Sequence, residues 1–130
     1  MATAAEHVAL RFNDAINQRD LERLVDLMTD DHLFVDAAGG TTRGKEAMRA
    51  AWKSFFEAFP DYQNAFARSH ACGETILFWG QSECAEPDLS GAAIWRAVVR
   101  GHQVAEWHVY EDTPQTRSDI ARIVPESEPP

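Results

Sequence analysis

At Phe59-Pro60-Asp61 the hydrophobic period of this chain changes, and that break constrains its fold more than any other feature. Before it, apolar residues recur every third or fourth position, the spacing that lines one face of a helix. Val8, Phe12, Ala15 and Ile16 predict a first helix over residues 4–17. Leu21, Leu24, Val25 and Met28 predict a second, capped by Asp20 and ended by Thr29-Asp30-Asp31. Met48, Trp52, Phe55 and Phe56 predict a third over 45–58, stopped where Pro60 cannot continue it. After the break, aromatic and β-branched residues alternate with small or polar ones, which predicts strands over 62–71, 75–85, 92–100 and 103–111. Cys72-Gly73-Glu74 and Arg100-Gly101-His102 read as hairpin turns, and 86–91 as a longer loop. Helices followed by a meander of strands imply an α+β fold, with a helical hairpin and a long helix packed on one face of a sheet.

One short strand interrupts the helical half. His32 to Asp36 alternates so that His32, Phe34 and Asp36 share one face and Leu33 and Val35 the other, and Gly39-Gly40 then turns the chain towards the third helix. Asp36 thereby stands at a strand end opposite aromatic helix positions. It is the first candidate for a reaction centre, and its alternative role is that of an aspartate capping the turn at 37–40.

Length and composition narrow the function classes. At 130 residues the chain suits one domain, placed at 1–124, with a proline-rich tail at 125–130 expected to be disordered. A net charge of −9 disfavours a nucleic-acid backbone as partner, because an acidic surface repels a polyanion. No apolar run approaches the roughly 20 residues of a membrane span. The amino terminus lacks the basic and apolar segments of a secretory signal, so a cytoplasmic location is expected. Cys72 and Cys84 fit no metal-binding spacing and read as buried, reduced thiols, and no histidine has metal-ligand company, so neither metal nor cofactor is predicted.

The element order resembles that of the nuclear transport factor 2-like superfamily, and within it the SnoaL-like polyketide cyclase and ketosteroid isomerase branches. The resemblance is carried by the stretch from Phe12-Asn13-Asp14 to Asp20-Leu21, by Met28-Thr29-Asp30-Asp31, by Arg43-Gly44-Lys45-Glu46-Ala47-Met48, by Phe59-Pro60-Asp61 and by Val104-Ala105-Glu106-Trp107. It implies a cone-shaped, curved, mixed or antiparallel sheet wrapped around a long helix, open at one end to a small hydrophobic molecule, and a homodimer formed through the sheet. The fold hosts isomerases, cyclases, hydrolases and non-catalytic binding modules, so the site has to decide function.

Asp36 matches the position of the proton-shuttling aspartate in ketosteroid isomerase-like proteins, where desolvation raises a carboxyl pKa towards that of a general base. Phe12 stands where such an isomerase carries a tyrosine, which disfavours steroid isomerisation. On the last strand, alternation puts Glu106, His108 and Tyr110 on one face and Trp107 and Val109 on the other. If the first set faces the cone, His108 joins Asp36, Tyr110 and Glu106 in a proton-transfer constellation resembling that of cyclase-like relatives. If it faces out, these are dimer or solvent residues. A further reading is a protein-interaction module that recruits its partner on the sheet face bearing Trp107 and Val109. Phe12, Phe34, Trp52, Phe56, Tyr62 and Trp95 are the expected substrate-binding wall.

Overall fold

A computed structural model describes residues 3–123. The tail expected to be disordered, 125–130, lies outside the described residues. The first helix, α1 (Ala4–Gln18), starts at Thr3, whose hydroxyl accepts the Glu6 N–H, and ends at Arg19 in the left-handed region (φ 54°). Asp20 then caps α2 (Leu21–Asp26) as predicted, its carboxylate accepting the Arg23 N–H. This helix is shorter than its apolar stripe implied. Met28 belongs to strand β1 (Met28–Val35), which starts four residues earlier than the sequence indicated.

The reason is long-range pairing. β1 runs parallel to β6 (Gln103–Glu111), and Val104 donates to the Leu27 carbonyl at 2.6 Å, which draws Met28 into the sheet before helical spacing can continue. A register shift between Met28 and Leu33 accommodates the acidic Asp30-Asp31 pair and turns His32 inward. His32 is fully buried and stacked on Phe12, and its Nδ1–H donates to the Val104 carbonyl at 2.7 Å. After the 36–40 turn, a short strand that sequence reading missed, β2 (Thr41–Arg43), pairs back antiparallel on β1.

Helix α3 (Lys45–Ala58) has the predicted bounds, and β3 (Gln63–Cys72), β4 (Thr75–Glu83) and β5 (Gly91–Arg100) lie within two residues of theirs. A single 3-10 turn, Pro87–Leu89, fills the longer loop. The six strands form one mixed sheet in the order β2-β1-β6-β5-β4-β3. Because β2 and β3 are opposite edges, α3 must carry the chain across the whole width of the sheet. It packs on β1, β2 and α2, while α1 lies across β3 to β6.

The core fills the curve between these helices and the sheet. Phe12, Ile16, Phe78, Trp95 and Trp107 are essentially fully buried there, and burying each large apolar side chain stabilises the fold by about 1.5–3 kcal/mol. On the opposite face, helix α4 (Pro114–Ile123) lays Ile120 on Leu77, Trp79 and Ile94. This fourth helix lies beyond the elements predicted from the sequence. The two cysteines depart from expectation: Cys72 is exposed and Cys84 half-buried, because both sit at or beyond strand ends.

Candidate functional site

A cavity of about 190 Å³ opens between α3 and the sheet. Its walls follow from two periodicities. On α3, Met48, Ala51, Trp52 and Phe55 face it at three- and four-residue steps; on the paired strands β5 and β6, Trp95 and its partner Val109 face it with Trp107. Phe34 closes the β1 side, edge-on to Trp52 at 5.9 Å, and Tyr62 closes the β3 side, edge-on to Phe55 at 4.9 Å. Asp36 and Ala37 form the rim, and Asn64 completes the wall. Of the expected binding residues, Phe34, Trp52, Tyr62 and Trp95 line this cavity. Phe12 and Phe56 do not: Phe12 is packed against His32 and Trp107, and Phe56 lies against Trp52.

Asp36 takes both of its anticipated positions. It borders the cavity, and its Oδ1 accepts the backbone N–H groups of Ala38 at 2.9 Å and Gly40 at 2.8 Å. The carboxylate is exposed at the rim and engaged in holding the turn, not enclosed among aromatics.

The last strand resolves the two readings of its alternation. Trp107 and Val109 face the cavity, so Glu106 and His108 lie on the other side of the sheet, and the structure does not bring Asp36 and His108 into one cavity. The alternative face for protein recruitment, Trp107 and Val109, is likewise turned inward. On the outer side His108 is only 7% exposed, its Nε2 lies 2.8 Å from Glu106 Oε1, and its ring stacks parallel to Tyr110. The Arg96 Nε donates to the Tyr110 hydroxyl at 3.2 Å. Burial lowers the His108 pKa, with Glu106 pulling it up and Arg96 pushing it down, so the ring is held neutral at pH 7. His32, the buried histidine of β1, is lowered for the same first reason, desolvation.

A second cavity of about 150 Å³ adjoins the first, sharing Ala37, Tyr62 and Val109 with it. Its remaining wall comes from the loop at 88–91 with Ser82, and the end of β6, including Tyr110, borders it. Between the two cavities runs a buried polar chain that sequence reading missed. Tyr62 Oη lies 3.0 Å from Ser82 Oγ, Ser82 Oγ donates to Asn64 Oδ1 at 3.0 Å, and Asn64 Nδ2 donates to Asn13 Oδ1 at 3.1 Å. A sequence signal existed: Asn13 adjoins the apolar stripe of α1, and Asn64 and Ser82 fall at inward-facing strand parity. Among the described residues, no group of three His, Cys, Asp or Glu side chains is placed to hold a metal ion.

A sequence model of the SnoaL-like domain matches residues 9–118. The chain belongs to the SnoaL-like domain family. This SnoaL-like chain has no match among the curated proteins. Among solved structures it is similar to a candidate SnoaL-like polyketide cyclase from Shewanella putrefaciens, at 17% identity and TM-score 0.75, over 94% of this chain and 88% of that one. It is also similar to an NTF2-like protein of unknown function from Cytophaga hutchinsonii, at 15% identity and TM-score 0.69, over 91% and 96%. A third similar structure is a computationally designed 17-OHP binder, at 13% identity and TM-score 0.73, over 86% and 93%. At these identities the structural likeness establishes the fold of the SnoaL-like domain, an NTF2-like α+β cone. No described helix is long and apolar enough to cross a membrane.

Proposed function

We propose that this SnoaL-like protein binds a small, largely apolar organic molecule in the cavity between α3 and the sheet. The observation that carries the reading is the wall itself: Phe34, Trp52, Phe55, Trp95, Trp107 and Val109 enclose about 190 Å³ with few polar groups, the composition of a small-molecule site. The similarity to a designed small-molecule binder and to candidate cyclases supports the same use of the fold. Three of the protein's four tryptophans line the cavity, so intrinsic fluorescence reports on it directly. Titration with 2-naphthol or 2-tetralone shifts or quenches that emission and saturates; an unchanged spectrum up to millimolar probe overturns the reading.

A catalytic version is cofactor-free proton transfer of the isomerase or cyclase kind, and the position of Asp36 on the cavity rim favours it as base. Exchange of the α-protons of 2-tetralone into deuterated water separates binding from chemistry. An acceleration by the wild type that Asp36→Asn abolishes marks Asp36 as the base, whereas equal rates leave a binding protein. His108, Glu106 and Tyr110 serve in this reading on the outer sheet face, where we place a homodimer contact. Light scattering of the protein in solution tests that contact, and a monomer at high concentration excludes it.

A further inference from the structure

We propose that Tyr62 is the specificity-determining anchor of this cavity, and that the one-way hydrogen-bond chain behind it selects ligands presenting a hydroxyl donor over those presenting a carbonyl acceptor. This rests on the cavity being a small-molecule site and names the class of molecule it takes: a compact carbocyclic or aromatic alcohol, its apolar body among the tryptophans and its O–H directed at the Tyr62 oxygen.

The direction of the chain follows from counting protons. Serine has one hydroxyl proton, and that of Ser82 goes to Asn64 Oδ1 at 3.0 Å. The 3.0 Å contact between Ser82 Oγ and Tyr62 Oη therefore needs the proton of the tyrosine. At the other end, Asn64 Nδ2 donates to Asn13 Oδ1, so every link runs in one direction, from Tyr62 towards Asn13. Asn13, Asn64, Ser82 and Tyr62 are each at most 9% exposed. Buried networks of this kind hold their geometry because an unmet polar group in the interior is costly.

The chain is also rigidly mounted. Asn64 donates its backbone N–H to Asn17 Oδ1 at 2.8 Å and accepts from Asn17 Nδ2 at 3.0 Å. Arg19 Nη2 donates to the Tyr62 carbonyl at 2.7 Å, so three hydrogen bonds from the end of α1 hold the start of β3. Burial raises the Tyr62 pKa, so the phenol keeps its proton through the neutral range. With that proton committed to Ser82, the phenol oxygen offers lone pairs alone. Of the other polar groups of the wall, Asp36 is an acceptor and Asn64 already donates to Asn13 and accepts from Ser82, while the indole N–H groups of Trp52 and Trp95 are donors without a partner that are buried away from the cavity surface and take no part in the selection.

Calorimetric titration with two matched pairs tests this: 2-tetralol against 2-tetralone, and 2-naphthol against 2-methoxynaphthalene. In the wild type the donor of each pair binds about tenfold tighter, the factor of one net hydrogen bond. Tyr62→Phe brings the ratio to about one. Ser82→Ala removes the acceptor that holds the tyrosine proton, freeing it for the ligand, and shifts the preference towards the ketone, an effect that simple loss of packing does not produce. Near-UV circular dichroism of the tryptophans verifies that each variant is folded. Equal or tighter binding of 2-tetralone by the wild type, or a preference that survives in Tyr62→Phe, overturns donor selection while leaving the small-molecule cavity intact. Absence of binding by all four probes removes the cavity reading and this inference together.

Discussion

Asp36 borders the cavity and at the same time holds the turn beside it. Its backbone N–H donates to the Gly40 carbonyl at 2.9 Å while its Oδ1 accepts from Ala38 and Gly40, so a single residue organises the turn that forms the cavity rim. Gly39 occupies a positive φ of 90° in that turn, a conformation side chains resist. Asp36→Ala removes both carboxylate bonds and lowers stability by about 1 kcal/mol, whereas Asp36→Asn keeps an acceptor and changes it by less than half as much; urea unfolding midpoints measure the difference. Equal midpoints for the two variants would show that the carboxylate does not hold the turn. The acid at a strand end was legible from sequence. Its engagement with Ala38 and Gly40 depends on turn geometry that residue identity leaves open.

At the scale of elements, Gly80 on β4 lies directly against the backbone of β3. It pairs with Phe66 where the β3 register shifts between Phe66 and Arg68, and a Cβ placed there would stand 2.0 Å from the Ala65 carbonyl oxygen and 2.9 Å from Phe66 Cα. Those are backbone atoms and cannot swing aside. The bulge bends β3 over the concave face, bringing Phe66 to stack on Phe78 at 4.3 Å and meet Trp95 at 4.8 Å. Gly80→Ala therefore costs roughly 1–3 kcal/mol, as overpacking does, and lowers the thermal midpoint. A variant melting with the wild type would mean the strands separate freely at this point. Local sequence rules recovered the elements whose signals are local: the Asp20 cap, the Pro60 stop and the bounds of α3. They failed at Met28 and at β2, where strand partners outweigh helical spacing and a three-residue strand carries too little pattern of its own.

For the whole molecule, the pH dependence of stability follows from its two buried histidines. Desolvation lowers both His32 and His108 below the ordinary 6.5, so the unfolded chain takes up their protons at higher pH than the folded one. Their contribution is complete above about pH 6.5 and is lost as pH falls below it through the folded values. The lowered carboxyls of Asp31, Asp61 and Asp112 add a separate loss only as pH falls below about 3.8. Unfolding free energies measured from pH 7.5 to 5 thus decline below pH 6.5, and His108→Gln flattens part of that decline while His32 maintains the rest. A flat profile across this range in the wild type would contradict the burial of both rings.

The α+β class, the order of three helices and five strands and the family resemblance are legible from residues alone, because these rest on period, caps and breakers that act over a few residues; β2 and α4 are not. The sequence by itself also determined that Glu106, His108 and Tyr110 must part from Trp107 and Val109, since successive strand residues point to opposite faces. Which set lies inside was decided only by tertiary structure. Pairing of β6 with β5 and β1, α3 spanning the concave face and Ile120 of α4 covering the other turned Trp107 and Val109 into the cavity. The buried chain from Tyr62 to Asn13 likewise joins residues up to 69 positions apart, on α1, on β4 and at the start of β3, and no short-range pattern encodes such a meeting.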